Sequence, residues 1–214
     1  MSPHTSVSFN HLYRELCACV GHLFICFARF EGALSAILRL HLANNTALDR
    51  YESVALSSAI YGSLRYKAAR DTIKRLLKLQ KADKHLIEFI ERVFAHVGHI
   101  EEFRNKIAHD TIVAVHEEHV TDDGFWQVSD QSTTRDIRNP KIYVFNADLV
   151  ADAANDLVTA ATRLGQNVEN ALLFDGLNIE PIPWQYKPSK LKLVNLDKVR
   201  SARQRSHPPQ SSPQ

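Results

Sequence analysis

Apolar residues recur at steps of three and four along most of the chain, which predicts amphipathic helices. The stretches that show this spacing, or read as a shorter helical segment, are about residues 9–42, 48–59, 64–79, 84–108 and 147–172. Asn146 is a good N-cap for the last of them, and Thr46 or Asp49 for the second. The expected fold is mainly α, an antiparallel helical bundle of four to five helices.

The pattern changes between the fourth and the last predicted helix. Three short runs there, 111–116, 125–128 and 142–145, read as strands separated by polar, turn-forming residues. They predict a small β-hairpin or three-stranded meander inserted after the fourth helix, at about 111–145. Residues 1–175 are therefore expected to form one helical domain.

Residues 176–214 lack helical spacing and are expected to form an arm followed by a tail. Pro181, Pro183 and Pro188 surround Trp184 and Tyr186, which predicts an extended arm whose aromatic rings pin it to the helical domain. The end of the chain is too polar to bury a core and is expected to be largely disordered.

Charge is distributed unevenly along the chain. Its formal net charge is +2, with seven Lys or Arg and one Asp from residue 181 onward, which leaves −4 for residues 1–180. Bulk charge on the helical domain therefore does not indicate a nucleic-acid surface. Any such affinity must be local or come from the basic tail.

Composition indicates an ordinary globular protein, with 44% hydrophobic and 23% charged residues in 214. No run of about 18 apolar residues and no leader-like N-terminus is found, so neither membrane insertion nor secretion is expected. The three cysteines, Cys17, Cys19 and Cys26, fall in one predicted helix. Because their number is odd, a disulfide framework is not expected, and a cytoplasmic location fits best.

Candidate chemistry lies at the end of the fourth predicted helix, in Arg104-Asn105-Lys106-Ile107-Ala108-His109. An Arg is a permanent planar clamp for phosphate, and a His exchanges a proton near neutral pH, so the pair can act on a phosphodiester without a metal. Asn105 and His109 share a helix face, whereas Arg104 lies about 140° from His109. If the helix frays after Ile107, His109 can turn toward Arg104.

The spacing of this motif is not specific by itself. With 15 Arg and 11 His in 214 residues, one such match is expected about once by chance. A purely structural alternative is that His109 caps the helix end while Arg104 pairs with Glu101 or another acid. The motif is considered a candidate site because it lies at the end of a strongly amphipathic helix.

At these residues the chain resembles the HEPN superfamily, whose signature is an Arg, commonly followed by a polar residue such as Asn, and a His four to six residues beyond. The scaffold resemblance covers about residues 9–173. Catalytic members are metal-independent endoribonucleases, often toxins or antiviral effectors. Two copies of the motif usually meet across a homodimer interface, so the resemblance implies a composite active site, RNA as substrate, no cofactor and a possible antitoxin partner.

The resemblance assigns a role to each motif residue. His109 is expected to act as base toward a ribose 2′-hydroxyl or as acid toward the leaving oxygen, and Arg104 to hold the scissile phosphate. Asn105 is expected to orient His109 or to bind phosphate. The implied products are a 2′,3′-cyclic phosphate and a 5′-hydroxyl.

Other polar residues are weaker candidates. Glu31 interrupts the inner side of the first helix and is a second-shell candidate, expected near Arg104, although a polar residue at a helix rim is also common. Arg70, Lys74 and Lys106 are RNA-binding candidates, although most such charges are simply solvated. Closely spaced histidines occur twice, but neither pair has a convincing third ligand, so no metal site is expected.

Two further functions remain open beside the ribonuclease. One is a catalytically inactive HEPN-like module that dimerises or binds RNA. The other is a helical protein that binds nucleic acid through its basic tail.

Overall fold

A computed structural model describes residues 9–45, 49–61, 65–79, 81–109, 111–113, 126–130, 141–173, 179 and 181–194. Five helices occupy most of these residues: α1 (Phe9–Asn45), α2 (Arg50–Tyr61), α3 (Tyr66–Leu79), α4 (Lys84–His109) and α5 (Ala147–Leu173). The predicted helical bundle is confirmed, with helix ends that differ from the expected ones by a few residues. None of the helices in the described ranges combines the length and apolar character needed to span a membrane.

The two longest helices, α1 and α5, form the most extensive helix–helix contact. Both helices carry fully buried apolar side chains, among them Phe30 and Leu34 on α1 and Leu157 and Leu164 on α5. Alanines at 153, 154 and 160 of α5 are also fully buried. Small buried side chains of this kind allow neighbouring helix backbones to approach closely.

Tyr66, the first residue of α3, lies where α1, α3 and α4 meet. Its ring contacts Phe27, Phe30 and Phe94 at centroid distances of 5.8, 5.9 and 6.4 Å. Its hydroxyl donates to the Phe94 carbonyl oxygen at 3.0 Å, so the buried polar end of the ring is satisfied. The sequence does not single out Tyr66, because charged residues flank it on both sides.

The apolar spacing of the third helix predicts that Ala68, Ile73, Leu76 and Leu77 face inward, and the inward face of α3 differs in part from this expected set. Ala68 is exposed, and the buried residues are Tyr66, Ala69, Ile73 and Leu77. The spacing of these four residues is three, four and four, which follows the helical period more closely than the expected set.

Carboxylate and amide side chains cap the helix starts. Asp49 accepts hydrogen bonds from the N–H groups of Tyr51 and Glu52, and Glu52 accepts one from the Asp49 N–H, which makes a capping box. Asp83 accepts hydrogen bonds from the N–H groups of His85 and Leu86 at the start of α4, and Asn146 accepts one from the Leu149 N–H at 2.9 Å. The predicted Asp49 and Asn146 caps are confirmed, whereas Thr46 lies outside the described residues.

Four short antiparallel strands form one sheet in the order β1-β2-β3-β4. They are β1 (Thr111–Val113), β2 (Trp126–Asp130), β3 (Lys141–Phe145) and β4 (Lys192–Val194). Of the predicted insert, only the residues in β1, β2 and β3 are described. The sequence does not predict β4, which comes from the arm and pairs Leu193 with Tyr143.

Core truncations should separate buried from exposed positions of α5. Leu157 is fully buried and Val158 is 43% exposed. Leu157→Ala is expected to lower the free energy of unfolding by about 2–5 kcal/mol, because it removes buried contacts and leaves a cavity. Val158→Ala, the matched control, should change it by less than about 0.5 kcal/mol. Urea unfolding followed by circular dichroism measures both, and equal losses would contradict the packing described.

Candidate functional site

The motif residues lie in the last turns of α4, which stays helical through His109. The helix does not fray after Ile107 in this structure. Arg104 and His109 therefore keep an angular separation of about 140° and an axial separation of about 7.5 Å. Within one chain the two side chains leave the helix on different faces.

Arg104 is half-buried and held by aromatic rings of α1. Its guanidinium carbon lies 4.8 Å from the ring centroid of Phe27 and 5.3 Å from that of Phe24, which is cation–π geometry. The Nε atom is buried and has no hydrogen-bond partner among the described residues. No carboxylate of the described chain forms an ion pair with this guanidinium.

Asn105 serves Arg104 rather than His109. The Arg104 Nη1 donates to the Asn105 Oδ1 at 2.7 Å, so the amide orients the guanidinium. His109 is exposed at the end of α4, and within the described ranges no hydrogen bond joins it to Asn105. Of the three predicted catalytic residues, the structure thus brings together Arg104 and Asn105 and leaves His109 facing solvent.

Glu31 has a different partner from the expected one. Its Oε1 accepts a hydrogen bond from the Tyr66 N–H at 3.0 Å, so it caps α3 from α1. An anion at a helix N-terminus is stabilised by the free N–H groups and the helix dipole. No ion pair between Glu31 and Arg104 occurs in the part of the chain that is described.

Glu101 lies one turn before Arg104 on α4 and is half-buried. Burial raises the pKa of the Glu101 carboxyl, while the charges of Arg70 and Arg104 lower it and those of Glu31 and Glu102 raise it, for a net upward shift. The group therefore lies within electrostatic reach of both guanidinium groups. From the sequence, Glu101 is considered only as a structural partner for Arg104.

The three RNA-binding candidates already have partners. Arg70 contacts the Asp71 Oδ1 through Nε and Nη2, both at 3.0 Å, and Lys74 pairs with a Glu91 carboxylate oxygen at 3.3 Å. The Lys106 Nζ lies 4.6 Å from the Tyr143 ring centroid. These exposed or half-exposed contacts are weak and leave the cations accessible to a ligand.

A second polar cluster holds the arm against the helices. The Asp156 carboxylate is buried on α5 and accepts hydrogen bonds from the backbone N–H groups of Gln185 and Tyr186 at 2.9–3.1 Å. The His96 Nε2 lies 2.8 Å from the same carboxylate. The His96 ring stacks on Trp184 at 4.0 Å.

Sequence reasoning missed Asp156, although a signal for it exists. It lies three residues after Ala153 and four before Ala160, at a position of the apolar stripe where an acid is not expected. The partner groups cannot be found in this way, because two of them are backbone N–H groups of an arm without helical spacing. The predicted pinning of the arm by Trp184 and Tyr186 agrees with these contacts, and Tyr186 is buried.

The described residues contain no group of three or more His, Cys, Asp or Glu side chains arranged to hold a metal ion. Comparisons of the chain with protein-family profiles, with curated proteins and with solved structures find no match. The side chains around Arg104 are therefore the basis for assigning a function.

The Asp156 cluster predicts a specific loss of stability. Asp156→Asn replaces an oxygen acceptor by an amino group that faces N–H donors, and should lower the free energy of unfolding by about 2–4 kcal/mol. The emission of Trp184, recorded in a Trp126→Phe background, should shift toward that of exposed tryptophan.

Asp152 provides the control for this prediction. It pairs with Lys190 at 3.4 Å near the surface, so Asp152→Asn should cost less than about 1 kcal/mol and leave the emission unchanged. Similar effects of the two substitutions would show that Asp156 does not anchor the arm.

Proposed function

We propose that this protein is a metal-independent endoribonuclease of HEPN type that acts on RNA as a homodimer. The observation that carries the proposal is the state of Arg104. Its guanidinium is half-buried, oriented by Asn105 and by two aromatic rings, and not neutralised by a carboxylate of the described chain. Such a preorganised cation is suited to a phosphodiester and to the charge that builds on it in the transition state.

The chemistry needs a proton-transfer group opposite this cation. In the proposed reaction His109 accepts the proton of a ribose 2′-hydroxyl, the 2′-oxygen attacks the adjacent phosphorus, and the bond from phosphorus to the 5′-oxygen breaks. The leaving oxygen takes up a proton, and the products are a 2′,3′-cyclic phosphate and a 5′-hydroxyl. Arg104 holds the phosphate throughout.

The helical geometry supports a site that is shared between two copies of the chain. Because Arg104 and His109 point about 140° apart on one unbroken helix, a single chain does not direct both side chains at one phosphate. In a two-fold dimer Arg104 of one chain can face His109 of the other, which gives two equivalent composite sites. The proposal includes a cytoplasmic location, a role as a toxin or in antiviral defence, and an antitoxin partner.

One observation favours a second candidate function, a catalytically inactive HEPN-like module that dimerises or binds RNA. His109 is exposed and has no hydrogen bond to Asn105 among the described residues, so Asn105 does not orient the base. Such a module would bind RNA through Arg104 and the neighbouring cations without cleaving it. Cleavage assays on the purified protein distinguish the two functions.

Ribonuclease activity is expected to depend on His109. His109→Ala should lower the rate of cleavage of a single-stranded RNA by about 100-fold or more, since it removes the proton-transfer group. His99→Ala is the matched control, because His99 is another exposed histidine of α4, and it should leave the rate within about twofold. A chelator should have no effect. Cleavage that is unchanged in His109→Ala would eliminate the proposed mechanism.

A mixing experiment tests whether the site is shared between chains. Arg104→Ala and His109→Ala should each be inactive alone, because neither retains a complete Arg–His pair. Random mixing makes half of the dimers mixed, each with one complete pair of two, so about a quarter of the wild-type activity should return. Two inactive proteins that stay inactive after unfolding and refolding together would show that the pair is not completed in this way.

A further inference from the structure

Positive charge is concentrated on α3 and the residue before it. Residues 65–79 contain six Lys or Arg and one acid, a net charge of +5. Because residues 1–180 sum to −4, the rest of them carry −9. The helix is thus a basic element on an acidic domain, and an anion that approaches the domain is steered toward it.

Three exposed cations, Lys67, Arg75 and Lys78, share one face of α3, which we call the cationic face. At about 100° and 1.5 Å per residue, they fall within an arc of about 80° and a length of about 16.5 Å. The residues on the other side of the helix are buried in the core: Tyr66, Ala69, Ile73 and Leu77.

The charge of the cationic face is not compensated at contact distance. No carboxylate in the described part of the chain forms an ion pair with it. Asp71, the one acid of α3, lies on the same side of the helix but contacts the Nε and Nη2 atoms of Arg70, both at 3.0 Å. Lys74, at the edge of the face, pairs with Glu91. The nearest acid is therefore occupied, and the three cations are open to solvent.

We propose that the cationic face of α3 is a docking surface for the sugar–phosphate backbone of RNA, and that its three cations each bind a phosphate. The inference rests on the proposed function for the identity of the polyanion. It adds Lys67, Arg75 and Lys78 to the residues that contact RNA, outside the candidate site. Contacts of this kind carry no base specificity, because they set the affinity and position the strand.

The packing of α3 favours RNA over a membrane surface. A basic amphipathic helix binds a bilayer by burying its apolar face among the lipids, but the apolar face of α3 already lies in the protein core. Apart from Leu79 at its end, which is exposed, α3 presents charged and small residues to solvent. Because the burial of Tyr66 fixes the helix, its cations are held in place for a polyanion that arrives from solution.

Binding is measured by fluorescence anisotropy with a labelled single-stranded RNA carrying 2′-O-methyl groups, which cannot be cleaved by 2′-hydroxyl attack. Lys67→Gln, Arg75→Gln and Lys78→Gln, combined in one variant, should weaken binding at low salt by about tenfold or more. The slope of log affinity against log salt concentration should decrease by about 2, because each phosphate contact contributes about 0.7 for a single strand.

A second triple variant, Arg14→Gln, Arg39→Gln and Lys187→Gln, is the matched control. It removes the same charge at exposed positions of α1 and the arm and should change the slope by less than about 0.5. Both variants should unfold in urea close to the wild type, because all six positions are exposed. Equal effects of the two variants on the slope would overturn the inference.

A footprint on the wild-type protein gives a second test, which needs no variant. Lysine acetylation is quantified by mass spectrometry with and without the same RNA. At an RNA concentration about tenfold above the Kd, the reactivity of Lys67 and Lys78 should fall by about fivefold or more, and that of Lys187 should not. Protection of Lys187 with Lys67 and Lys78 unchanged would place the RNA on the arm and contradict the proposal.

The outcomes separate the docking surface from the ribonuclease. Loss of affinity in the α3 variant without any cleavage of unmodified RNA by the wild type would leave the docking surface standing and reject the ribonuclease. Cleavage that depends on His109, with an unchanged slope in the α3 variant, would do the reverse. Absence of RNA binding, with binding of the cationic face to phosphatidylserine vesicles in its place, would reject RNA as the partner of this surface.

Discussion

The contact that the rest of the structure depends on is the burial of Tyr66 between α1, α3 and α4. Its ring packs against Phe27, Phe30 and Phe94, its hydroxyl donates to a carbonyl oxygen of α4, and its N–H is bound by Glu31 of α1. Three helices are therefore fixed relative to one another at one residue. Because Arg70 also contacts the Tyr66 ring and Arg104 the adjacent Phe27 ring, the same packing positions the cations of the candidate site.

Because the packing around Tyr66 fixes these rings in place, they can orient the guanidinium groups of the candidate site. A guanidinium stacked on a ring stays oriented without a carboxylate that would neutralise it. Asn105 supplies a neutral acceptor at 2.7 Å and so adds orientation without cancelling charge. The acids that are present serve other groups or lie at longer range. Arg104 thus keeps a net positive character in a helical domain whose overall charge is negative.

Periodicity is sufficient to predict the five helices and two of their caps, since α1, α4 and α5 each carry a long apolar stripe and Asp49 and Asn146 lie where a helix begins. It does not predict contacts that join distant segments. Glu31 reads as a rim residue, but its partner is a backbone N–H 35 residues away. The pairing of β4 with β3 likewise depends on where the arm runs. The motif identifies Arg104, Asn105 and His109 from the sequence. The angle between the Arg104 and His109 side chains is known only from the structure, in which α4 stays helical through His109.

The arm packs on α4 directly beside Arg104, the cation of the candidate site. Tyr186 stacks on Phe103 at 5.5 Å, and Phe145 at the end of β3 meets the same ring at 5.3 Å. Phe103 immediately precedes Arg104, and His96, about two turns earlier along α4, holds the arm together with Asp156 of α5. The helix is consequently clamped on its sheet-facing side, while α1 packs on the side that carries Arg104. Arg104 and His109 lie on this one continuous helix, so helical geometry fixes their angular separation at about 140°, and packing on both sides of α4 keeps that helix in place.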